Sequence, residues 1–412
     1  MSIYLINNII VPLEEEADFR REALRALRCK GSDLLKEDIF RKSVDARKKE
    51  NIRLNYTIAA TLKEGVTLRE NAKYRLLMED KPQFRPGMET MKHRPVIIGL
   101  GPAGMFCGLM LARAGYQPVI LEQGAPMEER VADVEAFWQE QRLDESSNIQ
   151  FGEGGAGTFS DGKLTSGINN PLCSIVLQDF YKFGAPEQIL YLAKPHIGTD
   201  NLVKIISNIR KYIISKGGEF LFNSKVIDFN IKDNNIESVI YVTGGKEYKL
   251  ATSTLILAIG HSSRDTFYKI YDKGLNMESK NFSVGVRVEH LQKDINFAQY
   301  GDKTKLQLPP AEYKLVYHDK DTGRSCYSFC MCPGGFVVPA ASSSRQVVVN
   351  GMSPSNRGSR WANSGMVVEI RPEDYSELMK HEEMAVSKDS PLALMAFQER
   401  LEELCWLNGG MK

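Results

Sequence analysis

The chain has 412 residues, which is enough for two or three domains. Hydrophobic residues make up 42% and charged residues 25%, the balance of an ordinary globular protein, which excludes a disordered or fibrous chain. The formal net charge of +1 gives no electrostatic signature of nucleic-acid or membrane binding. Seven irregularly spaced cysteines do not form a disulfide framework, so we expect a reducing compartment, the cytoplasm.

Residues 1–80 predict a small α+β domain. One stretch there has hydrophobic residues at helical spacing, which predicts one helix. The other hydrophobic stretches, one of them with a period of two, predict three strands. The segment 81–94 is polar and contains Pro82 and Pro86, so we expect a linker there.

A βαβ unit follows the predicted linker. A buried strand ends at Gly99, and Gly99-Leu100-Gly101-Pro102-Ala103-Gly104 leads into an apolar helix, which is the context in which G-x-G-x-x-G binds a dinucleotide. Gly99 allows the tight turn, Gly101 lets the backbone approach a pyrophosphate, and Gly104 lets helix and strand pack closely. Glu122 ends the next strand, 21 residues after Gly101, where a carboxylate accepts hydrogen bonds from a ribose. The sequence therefore predicts a dinucleotide site.

A second match to this motif, Gly152 to Gly157, has neither a buried strand before it nor a helix after it. Two interpretations stay open: a loop whose backbone N–H groups approach a phosphate or a ring edge, and an ordinary surface loop. Further on, residues 225–251 predict a β-meander, and a buried strand then runs to Gly260. Residues 281–370 are mostly strand-like.

Together these features resemble the flavoproteins with two dinucleotide-binding domains, whose first βαβ unit holds the ADP part of FAD. The runs 151–164 (FGEGGAGTFSDGKL) and 329–335 (FCMCPGG) resemble more closely a family of bacterial NAD(FAD)-utilising dehydrogenases with a ferredoxin-like N-terminal domain. The resemblance covers essentially the whole chain. It implies an α/β fold, with a Rossmann-like FAD-binding domain over 95–280 and an inserted β-rich substrate domain over 281–412, besides the N-terminal domain.

The resemblance also implies which residues bind FAD. Glu122 would hold the adenosine ribose, and Val226 would hold the adenine edge through its backbone. Gly260 would pass near the cofactor. The residues toward the flavin ring would be Gly154, Gly155 and Ser160. The pyrophosphate would be lined by Gly99, Gly101, Pro102, Ala103 and Gly104.

Two features depart from the superfamily's pattern. Ile259 stands where a threonine is usual. The superfamily also ends with a strand, a Gly-Asp or Gly-Glu turn and a helix that complete the flavin site. Here the chain stops after a helix predicted over 391–408, and the Lys303-Thr304-Lys305 run after Gly301-Asp302 does not open such a helix. We therefore expect a truncated chain that binds FAD weakly and exposes an apolar patch at the sheet edge.

Four residues are candidates for the chemistry. A cation near flavin N1 stabilises the reduced anion, and Lys163 is the candidate, because Gly162 beside it permits close approach; a surface lysine is the alternative. Asp161 is either its partner or a turn-capping residue. Cys330 and Cys332 would share one face if the segment is a strand, and two interpretations stay open: small buried side chains, or a redox thiol near the flavin.

No metal site is predicted, because the C-x3-C-x-C spacing that begins at Cys326 and the six histidines match no common ligand pattern. His261 is interpreted either as a cofactor contact or as ordinary packing. Arg287 is interpreted either as an anion-binding residue for the substrate or as a structural arginine.

The sequence thus predicts an FAD-dependent oxidoreductase, a dehydrogenase of a small-molecule substrate, with NAD(P)H as a candidate electron donor. The alternative is a non-catalytic flavin- or nucleotide-binding protein associated with RNA, whose contact would be the basic run from Arg41 to Arg53. No aromatic platform accompanies that run, which disfavours nucleic acid as a partner. No membrane partner is expected.

Overall fold

The structure, a computed structural model, describes residues 1–78, 82, 84–88, 90–168, 170–302 and 308–411. Within them, one parallel sheet and four antiparallel sheets are combined with nine α-helices, so the predicted mixed α/β fold class is confirmed. Residues 81, 83 and 89 of the predicted linker, residues 79 and 80 before it, and the Lys303-Thr304-Lys305 run lie outside the described residues.

The N-terminal unit is a four-stranded antiparallel sheet covered by one helix. Its elements are β1 (Ser2–Pro12), α1 (Phe19–Leu27), β2 (Leu34–Asp45), β3 (Arg53–Leu62) and β4 (Tyr74–Leu76), in the sheet order β2-β3-β1-β4. The Asp18 carboxylate caps α1 by accepting from the Arg21 N–H at 2.9 Å. The helix buries Ala23 and Leu27 against the sheet, and β3 alternates as its period of two predicts.

The outer strand β2 joins the N-terminal unit to the next one through the backbone. The Lys42 N–H donates to the Tyr191 carbonyl at 2.7 Å, and the Lys42 carbonyl accepts from the Ala193 N–H at 2.9 Å. Nearby in the basic run, Arg47 pairs with the Asp45 carboxylate at 2.6 Å. The edge of β2 is therefore partly paired.

A four-stranded parallel sheet forms the centre of the second unit, in the order β11-β5-β6-β7. Its first elements are β5 (Val96–Ile98), α2 (Pro102–Arg113), β6 (Val119–Leu121), α3 (Met127–Glu140), α4 (Pro171–Lys182), α5 (Thr199–Ser215) and β7 (Glu219–Leu221). The meander strands are β8 (Lys225–Lys232), β9 (Asn235–Thr243) and β10 (Lys246–Ala251), and the unit closes with β11 (Leu255–Leu257) and α6 (Arg264–Asp272).

The strands of this sheet are short and apolar because helices and the meander cover both faces. Ile97 and Ile120 are fully buried against α2 and α5, while Val96 and Val119 face the meander. Strand β11 lies at one edge of the sheet, where Leu257 is 41% exposed.

The third unit is β-rich and ends in two helices. Its elements are β12 (Phe282–Leu291), α7 (Gln292–Tyr300), β13 (Val316–His318), β14 (Ser325–Cys332), β15 (Phe336–Pro339), β16 (Val349–Met352), β17 (Trp361–Ile370), α8 (Pro372–Leu378) and α9 (Ala393–Asn408). The main sheet has the order β12-β17-β14-β13, and β15 pairs with β16. The register of β14 on β17 shifts between Phe329 and Cys332, which marks a β-bulge.

Candidate functional site

The turn between β5 and α2 lies at the carboxyl end of the parallel sheet. Gly99 has a φ of +93°, and a Cβ there would lie 2.5 Å from the Ala258 carbonyl oxygen. A Cβ on Gly104 would lie 1.9 Å from the Gly99 carbonyl oxygen, so this position needs glycine for packing. Helix α2 starts after Gly101 with no side-chain cap. Its first N–H groups and its positive dipole end are therefore available to an anion.

A cleft of about 240 Å³ opens beside this turn. The predicted cofactor residues that line it are Gly99, Gly101, Pro102, Glu122, Gly155, Val226 and Gly260. His261 also lines the cleft. Two of the lining residues, Gly101 and Gly155, approach each other closely, because a Cβ added to Gly155 would lie 2.8 Å from the Gly101 Cα. An uncapped helix N-terminus beside a glycine-lined cleft fits the pyrophosphate of a dinucleotide.

Four other predicted cofactor residues do not line the cleft. Ala103 and Gly104 lie in the first turn of α2. Gly154 faces the interior, because a Cβ there would lie 2.2 Å from Thr158 Oγ1. The Ser160 hydroxyl donates to the Gly157 carbonyl at 2.8 Å.

Glu122 is buried at the end of β6 and accepts hydrogen bonds from three separate segments. Its carboxylate accepts from the N–H groups of Leu100 at 2.7 Å, Gly124 at 3.0 Å and Gly152 at 2.9 Å. The sequence predicts a ribose ligand here. The carboxylate also has a structural role, because its hydrogen bonds with Leu100 and Gly152 join the dinucleotide turn to the second glycine-rich loop.

Arg130, on α3, organises the second glycine-rich loop, and the sequence analysis missed it. The side chain is fully buried, and its guanidinium donates to the carbonyls of Asn148, Ile149, Glu153 and Gly155 at 2.5 to 3.0 Å. Burial lowers the pKa of Arg130 to about 10, so it is charged at neutral pH. An arginine at a regular helix position gives no sequence signal of this role.

The loop continues into an ion cluster built around Asp161. This carboxylate is almost fully buried and pairs with Lys163 Nζ at 2.9 Å and with Arg357 Nε at 3.0 Å. Asp161 is thus a partner of Lys163, and Arg357 is a second partner that the sequence analysis did not identify. Burial alone raises the pKa of Asp161, but the hydrogen bonds and charges of Arg357 and Lys163 hold that pKa below its ordinary value.

The four predicted catalytic residues lie together. Lys163 Nζ donates to the carbonyl of Met331, the residue between Cys330 and Cys332. Cys332 is fully buried, and Cys330 is partly exposed. His196 flanks the cluster and donates from Nε2 to the Ser355 carbonyl at 2.9 Å. Burial, together with the charge of Arg357, lowers the pKa of His196.

The cysteine pair lies in the bulge of β14. Cys330 has a φ of +48°, a backbone conformation that is uncommon for a residue other than glycine. The Cys332 thiol lies 3.3 Å from the Cys330 carbonyl oxygen and beside the Cys330 thiol. The hydrogen bond between the thiols, with the charges of Lys163 and Arg287, lowers the pKa of Cys330 to about 6. The same hydrogen bond and burial raise the pKa of Cys332.

Arg287 and Asn363 complete the surroundings of the thiols. Arg287 Nη1 donates to Asn363 Oδ1 at 2.5 Å and lies 3.4 Å from the Cys330 carbonyl oxygen. The Asn363 Nδ2 group is buried and has no hydrogen-bond partner among the described residues. A Cβ on Gly351 would lie within 2.7 Å of Arg287 Nη1, Asn363 Oδ1 and Cys332 Sγ, so these groups surround one small space.

The described ranges contain neither a metal-binding cluster nor a membrane-spanning helix. They contain no group of three or more His, Cys, Asp or Glu side chains placed to hold a metal ion. None of their helices is both long enough and apolar enough to cross a membrane.

The chain is similar to a bacterial protein along almost its whole length. An uncharacterized protein of Clostridium beijerinckii is 41% identical over 411 residues, an alignment that covers 98% of this chain and 74% of that protein. Residues 281–412 match the profile described as "FAD-dependent protein, C-terminal domain-like". Residues 3–61 match a domain of unknown function.

Other similarities are partial. A D-amino acid dehydrogenase of Helicobacter pylori is 29% identical over 99 residues, which are 24% of this chain and 23% of that protein. The FAD complex of a glycerol-3-phosphate dehydrogenase from Bacillus halodurans aligns with a TM-score of 0.33 and 11% identity, over 67% of this chain and 48% of that chain. Neither similarity carries a conclusion about the substrate.

Proposed function

We propose that this chain is an FAD-dependent oxidoreductase. It belongs to the same family as the Clostridium beijerinckii protein, and its residues 281–412 match a C-terminal domain that is described as FAD-dependent. The observation that carries the proposal is the glycine-lined cleft at the uncapped N-terminus of α2. FAD, when bound, would supply two-electron redox chemistry. The substrate would be a small molecule, and we propose NAD(P)H as a donor of the electrons.

We propose that FAD lies along the cleft and contacts the residues that line it. The α2 turn would hold the pyrophosphate through Gly99, Gly101, Pro102, Ala103 and Gly104. Glu122 would accept from the ribose while it keeps its backbone donors, since each carboxylate oxygen has two lone pairs. Val226 and Gly260 line the same cleft, on the sides of the meander and of β11. Gly154, Gly155 and Ser160 would shape the flavin end.

The chain's own catalytic contribution would come from the ion cluster. Asp161 orients the half-buried Lys163 through an ion pair, and Lys163 also donates to the Met331 carbonyl. We propose Lys163 as the cation that favours negative charge at the flavin edge. Cys330 and Cys332 would lie at the substrate side of this cation. Arg357 holds Asp161 and is therefore a positioning residue.

Denaturing the purified protein and identifying the released small molecule by mass spectrometry tests this proposal. The expected result is FAD, together with the flavin absorbance spectrum of the intact protein. Titration of FAD into protein freed of nucleotide should quench the flavin fluorescence in a saturable manner. Release of NAD alone, or no saturable quenching, would show that the cleft has another function.

A further inference from the structure

The bulge in β14 places two thiols side by side, near the cationic side chains of Lys163 and Arg287. We propose that Cys330 and Cys332 form a reversible dithiol–disulfide centre, in which Cys330 attacks low-molecular-weight disulfides and Cys332 resolves the mixed disulfide. The centre needs no flavin. Its failure can therefore be distinguished from failure of the FAD proposal.

The backbone geometry allows the disulfide. In a regular strand, residues two apart are separated by about 6.6 Å, at the upper end of the Cα separations that a disulfide spans. The bulge interrupts this extended geometry at Cys330, whose φ is +48°. As a result Cys332 Sγ lies 3.3 Å from the Cys330 carbonyl oxygen, next to the Cys330 thiol. Formation of the bond therefore needs only a small movement within one segment.

Charge and exposure assign the two roles. Cys330 is the partly exposed thiol, and the nearby charges of Lys163 and Arg287 favour its thiolate. Cys332 is fully buried, so a disulfide from solution meets Cys330 first. The unpartnered Asn363 Nδ2 group is a further hydrogen-bond donor beside the pair, since Asn363 faces Cys332 across the β14–β17 ladder.

The chemistry balances as a thiol–disulfide exchange. The Cys330 thiolate attacks one sulfur of the disulfide RS–SR, which forms Cys330–S–S–R and releases RS⁻. Cys332 then loses its proton to solvent and attacks the Cys330 sulfur, which releases the second RS⁻. The protein loses two electrons and RS–SR gains them, while the two thiol protons end on two RSH. A dithiol reductant regenerates the pair by the reverse exchange.

The test treats the reduced full-length chain with 2-hydroxyethyl disulfide and maps thiols by mass spectrometry. Trypsin releases residues 325–345, a peptide with three cysteines, including Cys326. The wild-type peptide should lose two hydrogens through a Cys330–Cys332 bond, and Cys326→Ser should do the same. Cys332→Ser should instead retain one probe thiol on Cys330, and Cys330→Ser should form neither product. Dithiothreitol should reverse each modification.

The variant Lys163→Met tests the role of the lysine charge by comparing the reaction rates of two cysteines in the same chain. Adduct formation at Cys330 should slow several-fold relative to the exposed Cys405 of the same chain, because the thiolate loses a stabilising cation. The disulfide is mapped in the wild-type protein, so that result remains valid even if a serine variant fails to fold. Retention of three free thiols in residues 325–345, or closure through Cys326, would overturn the proposal.

Discussion

Arg357 and Asp161 lie 196 residues apart in the sequence, yet Arg357 Nε donates to Asp161 Oδ1 at 3.0 Å. A second bond joins Arg357 Nη2 to Asp161 Oδ2, and both side chains are nearly excluded from solvent. Arg357 lies between β16 and β17, and Asp161 lies on the glycine-rich side of the parallel-sheet unit. The pair therefore links the β-rich unit to the loop that borders the cleft.

Replacing Arg357 by methionine should destabilise the protein by about 3–5 kcal/mol, because the buried Asp161 carboxylate then loses one of the two ion pairs that it makes within the described residues and keeps the pair with Lys163. Urea unfolding at pH 7 measures the loss. Arg360→Met is the matched control, since Arg360 is exposed, and it should stay within about 0.5 kcal/mol of wild type. A loss below about 1 kcal/mol for Arg357→Met would show that the pair is structurally dispensable.

Asp161 should also make the free energy of unfolding depend on pH, with lower stability at acidic pH. Its pKa is lowered in the folded protein, so its contribution to stability is present above the pKa of the unfolded chain, about 4. That contribution is lost as the pH falls through the folded pKa. Wild type should lose stability more steeply than Asp161→Asn between about pH 5 and pH 3. Equal dependence of stability on pH in wild type and Asp161→Asn would contradict this prediction. The control is Asp389→Asn, whose side chain is exposed and whose pH dependence should match that of wild type.

Arg130→Met should lower the free energy of unfolding by about 3–5 kcal/mol, because it leaves four buried carbonyls without their common donor. FAD affinity should fall as well, since Gly155 lines the cleft. Thermal unfolding and FAD titration measure the two effects. The control is Arg142→Met, whose side chain is 74% exposed and should change neither quantity. If Arg130→Met is destabilised but binds FAD with unchanged affinity, the second glycine-rich loop does not contribute to FAD binding.

Gly101→Ala tests the cofactor cleft without disturbing the fold. Gly101 has a φ of −70°, which alanine adopts, and its Cβ would meet only Gly155 Cα at 3.9 Å. The methyl group would instead occupy the approach path of the pyrophosphate. We expect at least a tenfold loss in FAD affinity, with the melting temperature unchanged. Gly31→Ala, where a Cβ meets nothing within 4 Å, should bind FAD like wild type. Equal affinities for both variants would place the phosphates elsewhere.

The parts of the fold that were predictable from sequence are those set by local patterns. The strand, glycine turn and helix from β5 to α2 lie next to one another in the chain, and hydrophobic runs and Gly99 specify them directly. The same holds for β3, whose alternation is visible along a single strand. The limits of the three units and the roles of the site residues stay predictions.

What the sequence did not show depends on contacts between distant segments. Helix α3 was not predicted, and nothing in its pattern distinguishes the buried Arg130 from an exposed arginine. The pairing of Asp161 with Arg357 needs the tertiary fold. The bulge at Cys330 was also invisible, because its sequence is compatible with a regular strand.

The contact between β2 and the segment 191–193 has a consequence for evolution. Both of its hydrogen bonds join main-chain atoms of Lys42 to those of Tyr191 and Ala193, so the side chains at these positions take no part in them. Mutations can therefore accumulate here, and the charge of Lys42 can be lost, while the two units stay joined. Proline is the exception, because at position 42 or 193 it removes the N–H that the contact uses. For these two hydrogen bonds, the constraint on sequence drift is thus the presence of a main-chain N–H and not the identity of the side chain.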